Sequence, residues 1–204
     1  MRAAVLVILL CPSACATSTT FGTARTVAEG DMSHTIGASA IMVKRRGDYQ
    51  PVPLPVVSYG LRSGLSERVD IGAQASLPNV RISADVKYNA VRTKYVDLAV
   101  APCISAAAFA GSDELDAVLG ADVAVIANLN FGSVSLVPFA APGVVYTPVG
   151  GDAAPIIRTG VGAQFRLDGW TIEPQFATAV DPRSAAISEM AFGIGFGLGD
   201  QPVF

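Results

Sequence analysis

From about residue 31 onward the chain alternates apolar and polar positions with period two, in blocks of roughly ten residues separated by turn chemistry. In the block Arg68 to Leu77, Val69, Ile71, Ala73, Ala75 and Leu77 form one face, and Arg68, Asp70, Gly72, Gln74 and Ser76 the other. Pro78-Asn79 then turns the chain. Val80, Ile82, Ala84, Val86 and Tyr88 follow, alternating with Arg81, Ser83, Asp85, Lys87 and Asn89. The pair reads as an antiparallel hairpin with one apolar and one polar face. Similar strands are expected from Val96, from Leu115, from Ile157 to Leu167 and, across the two-residue turn Asp168-Gly169, from Trp170. In the last strand, Met190, Phe192, Ile194, Phe196 and Leu198 alternate with Ala191, Gly193, Gly195 and Gly197.

Other stretches are less regular. Met32 to Val43 alternates poorly, and Pro51, Pro53 and Pro55 favour a polyproline-like loop before a strand from Val56 to Arg62. Pro138 and Pro142 interrupt the strand from Ser133 to Tyr146, and Thr147 to Pro155 reads as a Gly/Pro-rich loop. The chain is therefore expected to be all-β: a closed antiparallel up-and-down transmembrane β-barrel of about ten strands, give or take roughly two, over residues 31–199.

Composition decides which face is inside. Of the 204 residues 51% are hydrophobic and only 15% charged, and the mean hydropathy is +0.46. A water-facing barrel surface would be well charged, whereas the polar face here is mostly Gly, Ala and Ser. That face suits a narrow lumen, with the apolar rows turned to lipid. Its charges carry both signs: Arg68, Arg81, Lys87, Arg158 and Arg166 against Asp70, Asp85, Asp97, Asp116, Asp122, Glu173 and Glu189. The near balance favours mutual pairing, and so a largely plugged lumen, over a selective channel. With 14 Lys+Arg against 17 Asp+Glu, the chain lacks the basic excess of a nucleic-acid binder.

The N-terminus supplies an address. Residues 1–16, MRAAVLVILLCPSACA, have the cation, short apolar run and small-residue exit of a secretory signal peptide. Ala14-Cys15-Ala16 fits ordinary cleavage after Ala16. Pro12-Ser13-Ala14-Cys15 also resembles a bacterial lipobox, with Pro12 where that family usually has Leu, which makes Cys15 a lipidation candidate. Residues 17–30 read as a polar tether and 200–204 as a tail.

Together the signal peptide, the ten-residue alternating blocks, the segment Arg62-Ser63-Gly64-Leu65 through Asp70-Ile71-Gly72 and the glycine-alternating closing strand resemble small bacterial outer-membrane β-barrel proteins. The resemblance implies membrane lipids and the outer-membrane assembly machinery as partners. Tyr88, Tyr95, Tyr146 and Trp170 are the expected interfacial aromatics.

Candidate chemistry is sparse. His34 is the only histidine, so an outer-membrane lipid-modifying enzyme would depend on it. Spacing for a metal site or a phosphate loop is missing, and neither a metal nor a cofactor is expected. Cys103 reads as a small strand residue. A soluble lipocalin-like binding barrel is the alternative, and it requires the apolar rows to face inward. The reading that best fits is a non-enzymatic outer-membrane structural component or small pore.

Overall fold

The computed structural model describes residues 21–43, 52–78, 80–110, 115–148, 151–183 and 186–198. These hold ten strands: β1 (Met32–Val43), β2 (Val52–Ser66), β3 (Val69–Leu77), β4 (Val80–Arg92), β5 (Val96–Ala110), β6 (Leu115–Phe131), β7 (Val134–Thr147), β8 (Asp152–Leu167), β9 (Trp170–Asp181) and β10 (Ala186–Leu198). Each pairs antiparallel with its chain neighbour, and β1 closes the barrel against β10, with Ile36 opposite both Tyr59 and Phe196. At the end where β1 begins and β10 finishes, the connections are tight. Gly132 and Gly169 take the left-handed backbone there, at φ 70° and 73°, which favours glycine.

The apolar rows face outward. Ile71, Leu77, Ile82, Ile104, Leu119, Phe165, Phe192 and Phe196 are all exposed, Ile104 at 67%. An apolar belt around every strand far exceeds the patches that soluble monomers show, and it is the hydrocarbon-facing surface of a transmembrane barrel. The soluble-barrel alternative needed the reverse. Tyr88, Tyr95, Tyr146 and Trp170 are also outward and exposed.

Prolines are handled differently from the sequence expectation. Residues 52–55 belong to β2, with Pro53 opposite Met42 and Pro55 opposite Ala40. Gly64 donates its N–H to Asp31 O at 3.1 Å, so even-numbered positions of β2 bond towards β1. Pro53 and Pro55 therefore turn their donor-less nitrogens towards β3, whose pairing with β2 ends at Val57–Leu77. No ladder bond is lost there. β7 likewise runs unbroken through Pro138 and Pro142, and β8 begins at Asp152, inside the expected loop. The β7–β8 ladder is continuous, while the β6–β7 ladder skips from Asp122–Gly143 to Val125–Ala140 and from Ile126–Phe139 to Leu129–Leu136. Both gaps fall at a proline.

Inside, one wall is apolar, built from Ala99, Ala101, Ala124, Ile126, Val137, Phe139, Ala141 and Ala177. Gly160 leaves room for the Phe139 ring.

Candidate functional site

Charged and amide side chains line the rest of the inner face, and their centre is Asp70, which is fully buried. Arg62 reaches it through Nε at 3.0 Å and Nη2 at 2.6 Å, and Lys87 Nζ lies at 3.1 Å. Arg62 also grips Asp85, at 3.2 Å from Nη1 and 2.5 Å from Nη2. Gly72 is small for this reason, since a Cβ there would come within 2.6 Å of Arg62 Nη1. Nearer the short turns, Arg25 pairs with Asp97 through Nε at 3.1 Å and Nη2 at 3.3 Å. Asn130 donates to the same carboxylate at 3.0 Å, Ser135 donates to Asn130 Oδ1 at 2.7 Å, and Arg166 donates to Ser135 Oγ at 3.1 Å. A third pair joins Arg158 Nη2 to Asp122 at 2.5 Å.

Most of the expected lumen charges thus face inward: Asp70, Arg81, Asp85, Lys87, Asp97, Asp122, Arg158, Glu173 and Glu189 are buried or half-buried on the inner face. Arg166 is half-buried at the turn-side rim, where it also donates to Gly132 O. Arg68 is a correction. It sits exposed in the β2–β3 turn with Glu67, because β3 starts at Val69 after a register shift at Gly64/Ser66. The side chain of Asp116 and all of Cys15 lie outside what the structure describes. Two central cations escaped the sequence reading. Arg62 stood at the end of its expected strand, although it shares inward parity with Ser58 and Gly60; Arg25 lay in the expected tether.

That tether is the larger correction, for residues 21–30. Phe21, Thr23, Ala24, Arg25, Thr26 and Val27 are all buried, and they run inside the barrel between the charged groups and the apolar cluster, which Ala24 joins. Gly30 N–H to Gly64 O, at 3.1 Å, turns the segment into the lumen at the short-turn end. Wall side chains then hold its backbone: Val27 N–H to Asp70 at 3.0 Å, Lys87 Nζ to Thr23 O at 2.9 Å and to Arg25 O at 2.6 Å. Ala24 N–H donates to Asn128 at 2.7 Å, and Asn89 donates to Ala24 O at 2.8 Å. Thr26 Oγ1 donates to Glu67 O at 2.8 Å. Phe21, the first described residue, lies mid-barrel with its ring over the backbone of Gly37 and Gly195. The glycine-alternating strand noted in the sequence is therefore the seat of this ring.

A side chain at that seat should expel the ring, since even a Cβ on Gly195 would lie 2.7 Å from Phe21 Cδ1. The expected outcome for Gly195→Leu is a folded barrel that trypsin cleaves at Arg25, read by mass spectrometry, where the wild type is protected.

His34 stands apart from all of this. It is on the outward face of β1, where Nδ1 meets Tyr59 Oη at 2.7 Å, and it contributes nothing to the charged lumen. Cys103 is on the inner face, level with Asp85 and Asp122 on the flanking strands.

No protein-family model matches the sequence, and no curated protein matches it. Among solved structures, the β domain of a Bordetella autotransporter aligns with a TM-score of 0.51 at 7% identity, over 84% of this chain and all (100%) of that one. The fold is that of an outer-membrane β-barrel. Two further alignments are an outer membrane channel from Pseudomonas putida and the Neisserial surface protein A. The channel has a TM-score of 0.45 at 11% identity, over 89% of this chain and 100% of that one. The Neisserial protein has 0.41 at 10% identity, over 83% and 99%.

Proposed function

We propose that this is a non-enzymatic bacterial outer-membrane barrel whose lumen is plugged by its own residues 21–27 and by paired charges, making it a structural component or a closed small pore. The observation that carries this reading is the N-terminal segment itself, buried inside the barrel through backbone and ion-pair contacts with lumen side chains. Further support comes from the apolar outer belt and from the tight turns gathered at the end where the strands begin and finish, which is the periplasmic pattern. Export through residues 1–16 fits the same location, and the partners are membrane lipids and the outer-membrane assembly machinery.

Fractionation of expressing cells tests the location, and planar-bilayer recording tests the lumen. The expected result is recovery in the outer membrane, a band whose gel mobility changes on heating, and little conductance from the wild type. Recovery in the soluble fraction overturns the location, and a large steady conductance overturns the closed lumen.

A further inference from the structure

The wall holds residues 21–27 chiefly by their main chain. Gln175 accepts from Phe21 N at 3.4 Å, Lys87 donates to the carbonyls of Thr23 and Arg25, Asn128 and Asn89 take the N–H and carbonyl of Ala24, and Asp70 accepts from Val27 N. Five side chains from β3, β4, β6 and β9 thus satisfy six main-chain groups, the part that a neighbouring strand plays in a sheet. Amide and carbonyl groups are common to every sequence, so these contacts do not distinguish Thr from Val. Besides the Thr26 Oγ1 bond to Glu67 O near the rim, register comes from two side chains deeper in the lumen. The Phe21 ring needs the bare backbone of Gly37 and Gly195, and four residues later Arg25 needs the buried carboxylate of Asp97.

We propose that the lumen is a binding site for a short polypeptide segment, recognised through its main chain and through one arginine set four residues after an aromatic, with residues 21–27, bent at Ala24 and Arg25, as the resident occupant. The occupant's amino end points from the short-turn rim towards mid-barrel. The site differs from an ion filter in what it matches: main-chain donors and acceptors along a bent segment, and a single buried anion for a single guanidinium. The proposal rests on the closed-lumen reading above, and it adds that the occupant is exchangeable.

The experiment keeps the whole chain during folding. A protease site is inserted between Gly30 and Asp31, beside exposed Glu29 and Gly30, and cut after the barrel has folded. A second barrel is made without residues 21–30. Synthetic fluorescent peptides of residues 21–30 are then added, and anisotropy and bilayer conductance are read. The wild-type peptide and one carrying Thr23→Val and Val27→Thr should bind within about threefold of each other and restore the closed state. A peptide carrying Arg25→Glu should bind at least about tenfold more weakly, because it sets two buried carboxylates against each other. If the exchanged Thr/Val peptide fails as badly as Arg25→Glu, recognition runs through side chains and the proposal falls. It falls equally if no peptide binds to a barrel that opens when its segment is removed. A barrel whose conductance is unchanged after the segment has left overturns instead the reading that the segment closes the lumen.

Discussion

Asp70→Ala should be the most destabilising single substitution in the lumen, at about 3–5 kcal/mol, the usual penalty for removing one partner of a buried ion pair. The reason is convergence. Asp70 accepts from Arg62, from Lys87 and from the backbone N–H of Val27, and its own carboxylate is fully out of solvent. Its loss leaves the Lys87 ammonium buried without its carboxylate, and releases the N-terminal segment at Val27. Asp85→Ala offers the contrast. Asp85 is 22% exposed and shares Arg62 with Asp70, so Arg62 keeps a carboxylate when Asp85 is gone. Its expected effect is about 1–2 kcal/mol. Urea unfolding of the reconstituted barrel, followed through Trp170 fluorescence, separates the two. Equal midpoints for the two variants would show that Asp70 is not the hub of this network.

The alternation along the chain was enough to place most side chains on the correct face, because a strand buried on one side and in lipid on the other fixes its register at every second residue. What escaped depends on partners distant in sequence. Whether Pro53 breaks a strand depends on which neighbour its nitrogen faces and on where that neighbour stops, here Leu77, 24 positions later. Arg68 had strand parity, yet a turn claimed it, and nothing local marks the register shift that places the turn there. Residues 21–30 carry no period at all. Their order is imposed by Asn128 and Gln175, more than a hundred residues away, and a segment held by its backbone leaves little trace in its own side chains. A trace did exist in the receiving wall. Gly193, Gly195 and Gly197 were legible as an inner row of glycines, but only the ring of Phe21 explains why Gly195 has to be bare.

The same two-faced geometry makes the outer surface testable in a way that separates hydrocarbon from water. Ile104 is outward-facing near the middle of β5 and 67% exposed, whereas Phe131, 65% exposed, faces outward at the turn end of β6. Near the bilayer midplane an arginine on the lipid face costs about 2–4 kcal/mol, falling to about 0–1 kcal/mol at the interface, where the side chain reaches water. Ile104→Arg should therefore destabilise the barrel in lipid vesicles strongly, and Phe131→Arg only slightly. Equal exposure of the two positions keeps loss of packing from mimicking the difference. On a water-facing surface both arginines would be close to neutral, and a flat result in vesicle-based equilibrium unfolding would remove lipid from the outer face. A steep difference between two positions of matched exposure is the signature of depth, and depth is a property that only a barrel crossing a membrane confers on its surface.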